Sequence, residues 1–132
     1  MECPNFQYAV KFVCGRSDGR VLAPGEYLTA INVHNPTDSI VPFQYKIAPA
    51  LPQQKPTDFF DLKLEPDWSL EIDCPQILPE AQGAFRKGFV VIESDVELDV
   101  VAVYTVSGRG GQVSIHMERV PARRPIRLPR QG

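Results

Sequence analysis

The sequence predicts an all-β protein, an antiparallel immunoglobulin-like β-sandwich of about seven short strands. Apolar and polar residues alternate over short segments, and turn-forming residues recur at intervals of roughly 8–15 residues. No long segment has the periodicity of an amphipathic helix. The 13 prolines suit rigid connections between short strands. The term immunoglobulin-like describes architecture only, because the Cys–Trp–Cys spacing of antibody domains is not convincingly present.

The first half of the sequence predicts one strand followed by a hairpin. The first strand covers 8–14 (YAVKFVC), and the hairpin strands cover 26–34 and 40–48. The turn between them, 35–38 (NPTD), combines Asn and Asp, which hydrogen-bond their own backbone, with a Pro that fixes φ. Pro42 cannot donate a ladder hydrogen bond, so the third strand is expected at a sheet edge or a bulge.

A proline-rich loop at 49–56 is expected to be rigid and to stay outside the sheet. Two short strands follow at 61–64 and 69–74, and Trp68 is expected to pack at the corner between them. The segment 75–82 has room for one helical turn.

The densest apolar run, 88–106 (GFVVIESDVELDVVAVYTV), predicts the hairpin around which the fold is organised. Both faces of its second strand are largely apolar, so this strand is either central in the fold or covered by another subunit. The carboxylates around its turn, Glu93, Asp95, Glu97 and Asp99, are expected to discourage pairing with other chains. A closing strand at 112–120 has an apolar face made of Val113, Ile115 and Met117.

A chain of 132 residues is one domain by size, with a sandwich over 1–120 and a basic Arg/Pro-rich tail over 121–132. The net charge is −2, but arginines concentrate from Arg119 onward and leave the body acidic. The tail therefore either lies on an acidic surface, its own or a neighbour's, or is a solvated end. An acidic body argues against nucleic-acid binding.

No stretch approaches the roughly 20 apolar residues that span a bilayer. The N-terminus, MECPNFQYAV, lacks the pattern of a signal peptide. The compartment is left open: the cytoplasm is slightly favoured, and export is expected if the chain is a mature form.

The three cysteines, Cys3, Cys14 and Cys74, do not have metal-ligand spacing. Cys14 and Cys74 both end predicted strands and could meet at one end of the sandwich. A disulfide between them would imply an oxidising compartment, and two buried thiols are the alternative. Cys3 is left over in either case.

The two histidines, His34 and His116, both lie on predicted strands with polar neighbours. A shared metal ion would need both of them and a carboxylate, but a structural or interfacial role is favoured. No nucleophile elbow and no phosphate-binding glycine loop is present. The sequence therefore predicts no catalytic residues, no metal and no cofactor, and indicates a protein that is not an enzyme.

The order of elements resembles a group of small bacterial β-sandwich proteins that includes the soluble sensory rhodopsin transducer. The resemblance covers residues 8–120 and is carried by EYLTAINVHNPTDSIVPFQYKIA, the proline loop, WSLEIDCPQI, GFVVIESDVELDVVAVYTV and the closing strand. It implies a non-enzymatic sandwich that assembles as a homo-oligomer and binds a partner or a ligand. It supplies no catalytic motif.

Three functional hypotheses follow. The first is a structural module that self-associates, or binds another protein, through the second face of the central strand and the tail: Val101, Val103, Thr105, Arg123, Arg124 and Arg127. The alternative is a small-ligand or glycan-binding sandwich whose aromatic platform consists of Phe59, Phe60 and Trp68. An enzyme or metalloprotein would require His34, His116 and a carboxylate to converge.

Overall fold

The computed structural model describes residues 3–77 and 85–129, and most of these lie in antiparallel strands. The strands are β1 (Phe6–Ser17), β2 (Gly25–His34), β3 (Val41–Pro49), β4 (Phe60–Leu64), β5 (Ser69–Asp73), β6 (Arg86–Ser94), β7 (Asp99–Ser107) and β8 (Val113–Arg119). A short helix, α1 (Cys74–Ile77), and a 3-10 turn (Arg109–Gly111) complete the regular elements of this part of the chain. The remainder of the predicted helical turn at 75–82, and tail residues 130–132, lie outside the described residues.

The strands form one hydrogen-bonded order, β4-β3-β6-β1-β2-β7-β8, with β5 paired to β2. β1 belongs to both halves of this order, because residues 6–14 pair with β6 and residues 15–17 pair with β2. Gly15 lies where the partner changes and has a φ of +103°, a conformation that favours glycine. The sheet folds at Gly15, and its two halves pack against each other around a shared core.

The core consists of the inward-facing residues of both halves. Its largest fully buried apolar side chains are Tyr8, Val10 and Phe12 of β1, Ile31 and Val33 of β2, Phe43 of β3, Ile72 of β5, Val90 and Ile92 of β6, and Val100 of β7. The Tyr8 hydroxyl donates to the Leu98 carbonyl oxygen at 2.9 Å and accepts from the Leu98 N–H at 2.7 Å. Burial raises the pKa of Tyr8, so the phenol keeps its proton at neutral pH and ties β1 to the start of β7.

The all-β antiparallel prediction is confirmed, with eight strands instead of about seven. The immunoglobulin-like description stays a prediction. The expectation of an edge strand or bulge at Pro42 is wrong, because β3 lies between β4 and β6. Pro42 comes one residue before β3 begins to pair with β6 at Phe43, so the missing donor falls at the end of that ladder.

A disulfide joins Cys14 of β1 to Cys74, with the two Cα atoms 5.8 Å apart. The structure thus brings together the two cysteines that end predicted strands, and Cys3 is free and exposed. The bond lies beside the point where β1 changes partners. It therefore fixes the end of β5 to the strand that connects the two halves.

We expect the disulfide to stabilise the fold by about 4 kcal/mol, because a long closed loop removes much conformational entropy from the unfolded chain. The bond closes a loop with a sequence separation of 60. The double variant Cys14→Ala/Cys74→Ala should lose this free energy of unfolding in a denaturant titration, and reduction of the wild type should act in the same direction. Cys3→Ala is the matched control and should unfold at the wild-type midpoint; equal stability of all three proteins would contradict the prediction.

Gly88 on β6 has no room for a side chain. A Cβ atom there would overlap the Ala48 carbonyl oxygen and lie 2.9 Å from both Phe12 Cε1 and Pro49 Cα. We expect Gly88→Ala to lower the free energy of unfolding by roughly 1–3 kcal/mol, as over-packing does elsewhere. Gly108→Ala is the control, because nothing lies within 4 Å of a Cβ at Gly108 and its φ of −98° suits any residue.

Candidate functional site

The outward side of β2, β7 and β8 carries a continuous set of apolar residues. The ladder places Leu28 opposite Thr105, Val103 opposite Met117, and Thr105 opposite Ile115, so these side chains share one face. We call this surface the outer apolar face; it consists of Leu28, Ala30, Val101, Val103, Thr105, Val113, Ile115 and Met117. Alternate residues of β7 point the other way, where Val100 and Ala102 are buried in the core.

The outer apolar face is exposed most strongly on β8. Val113, Ile115 and Met117 are 67%, 66% and 64% exposed, and Leu28 is 51% exposed. All seven residues of β8 are exposed, because this edge strand extends beyond the opposite half of the sheet, which is formed by β4, β3, β6 and residues 6–14 of β1. The predicted interface residues Val101, Val103 and Thr105 lie on this face and are half-buried by their neighbours.

An ionic row closes one end of the outer apolar face. His34 Nδ1 lies 2.8 Å from Asp99 Oδ2, and His34 Nε2 lies 2.8 Å from Asp67 Oδ1. Arg119, the last residue of β8, lies 3.8 Å from the other carboxylate oxygen of Asp99. The row Asp67–His34–Asp99–Arg119 thus crosses from the β4–β5 turn to β2, β7 and β8.

The two carboxylates favour the protonated imidazole. The side-chain hydrogen bonds to Asp99 and Asp67 raise the pKa of His34 above its usual 6.5. In the charged form both ring nitrogens donate, one to each carboxylate, so the imidazolium joins the β4–β5 turn to β7. Asp67 holds its position in that turn with a left-handed φ of 62°.

We expect this bridge to make stability depend on pH. Because the folded-state pKa of His34 is raised, its stabilising contribution is complete below pH 6.5 and is lost as the pH rises through that folded-state pKa. Thermal unfolding measured from about pH 5.5 to 8.5 should show a wild-type advantage over His34→Gln that shrinks as pH increases. His116→Gln should track the wild type, and an advantage that grew with pH would contradict the assignment.

The tail is anchored to the body at Arg123. Its backbone forms a bridge with Gln7 of β1, with N···O distances of 2.7 and 2.9 Å, and its Nε donates to Gln7 Oε1 at 2.8 Å. Gln7 donates in turn to the buried carboxylate of Glu93 at 2.7 Å, which also accepts from Gln44 at 3.1 Å. Val120 packs against the core.

The tail is therefore held on the body of its own chain as far as Arg123. Arg123 is held within its own chain, which limits its use as an interface residue. Arg124 and Arg127, the other tail candidates, are exposed. Glu93, expected to guard the hairpin against pairing, instead lies buried between two amides.

The three residues of the candidate aromatic platform do not form one surface. Trp68 is 62% exposed, so the expectation that it packs at a corner is wrong. Phe60 is half exposed and packs on Tyr45 at 5.2 Å between ring centroids, while Phe59 lies under the Lys46 ammonium group. Phe60 begins β4, whereas Trp68 follows its other end, and four residues of strand separate those ends by roughly 13 Å.

A surface depression of about 1050 Å³ lies elsewhere, between the β1–β2 and β7–β8 connections. Its lining includes Arg16, Glu26 and Ser107 but no aromatic residue. The Arg16–Glu26 ion pair, at 3.5 Å, sits at its rim with both side chains at least half exposed. The candidate aromatic residues therefore do not contribute to it.

The two histidines do not converge. His34 is opposite Asp99 on the outer face, whereas His116 is opposite Tyr104 on the inward side and stacks on that ring. Five residues of strand separate the two positions by roughly 16 Å, too far for a shared metal ion. Within residues 3–77 and 85–129, no group of three metal-ligating side chains is placed to hold an ion.

Sequence reasoning missed two features of this surface. The alternation in β8 identified Val113, Ile115 and Met117 as one face but did not indicate that the face is open to solvent. The ionic row joins residues from four segments, and no local spacing identifies it. The alignment of His34 with Asp99 becomes visible only when the β2–β7 register is known.

Comparisons with known proteins support the fold alone. No family model matches the sequence, and neither does any curated protein. The crystal structure of Thermotoga maritima 1070 is similar, with a TM-score of 0.61 and 11% identity over 92% of this chain and 96% of that chain. Within the described residues, no helix is both long and apolar enough to cross a membrane.

Proposed function

We propose that this protein is a non-catalytic β-sandwich module that self-associates through the outer apolar face and the free edge of β8. The observation that carries the proposal is the exposure of Val113, Ile115 and Met117 on a strand that contributes nothing to the core. A strand placed only to complete the sheet needs no aliphatic residues on its solvent side. Their presence is accounted for if another surface covers them.

The free edge of β8 adds a backbone contribution. Among the strands of residues 3–77 and 85–129, only β7 pairs with β8, so the other side of this seven-residue strand presents backbone donors and acceptors. Edge strands are commonly protected by proline, bulges or charges. β8 contains no proline, and on its outer side the only charged residue is Arg119 at the very end.

A second copy of the same strand fits this edge. If two β8 strands pair antiparallel about a two-fold axis at Ile115, then Val113 of each lies opposite Met117 of the other. Across this edge, Val113 of one copy would then pack against Met117 of the other, and Ile115 against its own symmetry mate. No like charges meet, because Ser114 lies opposite His116. Antiparallel pairing also continues the geometry of the whole sheet.

The available area is consistent with a dimer. The four most exposed side chains present roughly 400 Å² of apolar surface, comparable to the largest patch on a typical monomer. Pairing of the two β8 edges would add backbone contacts to this area, and a stable interface buries roughly 800 Å² per partner. The resemblance to the sensory rhodopsin transducer group points in the same direction, because it implies a homo-oligomer.

We expect Ile115→Glu to convert the oligomer to a monomer, because it places a carboxylate at the centre of the apolar seam. Mass in solution, measured by light scattering over a concentration series, would show the change. The matched control is Val21→Glu, since Val21 is 67% exposed but lies in the β1–β2 connection. A wild-type protein that is monomeric at every concentration, or an oligomer that survives Ile115→Glu, would overturn the proposal.

A second candidate function is binding of a small ligand or glycan at Trp68, favoured by the exposure of this single tryptophan. Stacking of a sugar ring on the indole would change its fluorescence, so titration with a panel of oligosaccharides tests the idea directly. Trp68→Ala should abolish binding and Phe60→Ala, at the other end of β4, should leave it intact.

A further inference from the structure

The ionic row and the proposed interface meet on one strand. Arg119 ends β8 immediately beyond the exposed aliphatic residues, and Asp99 lies on the same face of β7 as Val101 and Val103. His34 therefore sits at the margin of the surface that a second copy would cover. Its own strand, β2, also contributes Leu28 and Ala30 to that surface.

We propose that the ionic row makes self-association depend on pH, so that copies associate while His34 is protonated and separate when it loses its proton. This inference rests on the proposed function, since it concerns regulation of the same surface. It depends on the three charged groups that line up with His34, namely Asp67, Asp99 and Arg119, and on the position of Arg119 at the end of β8.

The charges of the row balance only in the protonated state. Among the described residues, Asp99 from β7 and Asp67 from the β4–β5 turn bond to His34. On β5 its partner is the neutral Ser69, and the carboxylate of Glu71 lies two residues along the same face, opposite Asn32. With Arg119 beside Asp99, the protonated row has two positive and two negative charges. Loss of the proton leaves one net negative charge on each copy.

Deprotonation also changes the hydrogen bonds. A neutral imidazole donates from only one nitrogen, so one of the two carboxylates loses its donor. If Asp99 is the one released, Arg119 becomes its remaining charged neighbour and the end of β8 is drawn towards β7. If Asp67 is released, the β4–β5 turn loses its connection to β2.

Two-fold symmetry doubles the electrostatic effect. Each copy would bring its own unbalanced row to the margin of the interface. Loss of the His34 proton brings the formal net charge of each chain to −2, the value with both histidines neutral. Added negative charge on two acidic copies opposes their association. We expect the dissociation constant of the oligomer to rise about tenfold when His34 is deprotonated. A change of this size is within the usual range for linked equilibria.

The test is the dissociation constant of the intact, disulfide-bonded protein, measured by analytical ultracentrifugation at about pH 5.5, 7 and 8.5 in constant salt. The dissociation constant for self-association of the wild type should increase as the pH rises. His34→Gln should remove this dependence, and Asp67→Asn should move its midpoint to lower pH because one stabilising carboxylate becomes neutral. Circular dichroism would confirm that each variant folds.

His116→Gln is the decisive control, because His116 lies on β8 itself and is the only other histidine. Retention of the pH dependence in His116→Gln supports the assignment to His34. Loss of the dependence in that variant, or its persistence in His34→Gln, overturns it. An oligomer whose dissociation constant does not change with pH overturns this inference alone, whereas a monomer at every pH overturns the proposed function as well.

Discussion

The architecture depends on one strand serving two halves of the sheet. β1 pairs with β6 over most of its length and with β2 only at its end, so the chain must turn at Gly15. Two contacts hold this turn: the Cys14–Cys74 disulfide and the Thr29 hydroxyl bonded to the Val13 backbone. Near the other end of β1, the Tyr8 hydroxyl is bonded to Leu98. Once β1 is fixed, the halves can bury their facing sides, and β8 is left beyond the covered area.

Most of the fold could be predicted because its signals are local. The alternation of apolar residues and the NPTD and glycine-rich turns located every strand to within a few residues. Asn35 shows why that turn is reliable, since its buried amide donates to three carbonyl oxygens, including Leu64 O and Glu65 O, and accepts from Thr37. What could not be predicted was pairing order: Pro42 indicated an edge, yet β4 adds beyond β3 through a connection of ten residues.

The candidate site was predicted only in part, for the same reason. Val101, Val103 and Thr105 were identified because a strand that is apolar on both faces is either central in the fold or covered by another subunit. The exposure of Trp68 and the burial of Glu93 depend on contacts between segments that are distant in the sequence, such as the 86 residues between Gln7 and Glu93. The register between strands that are distant in the sequence determines the partner of each carboxylate, and this register cannot be deduced from composition.

The position of β8 outside the core has a consequence for how this sequence can change. Most substitutions at core positions such as Phe12 or Ile31 would destabilise the fold, because these side chains are fully buried. The side chains of β8 are exposed, so substitutions there should affect stability much less. A library randomised over 113–119 should therefore yield mostly folded proteins, differing in behaviour rather than in architecture. The exposed side of β8 can therefore evolve, or be redesigned, almost independently of the rest of the fold.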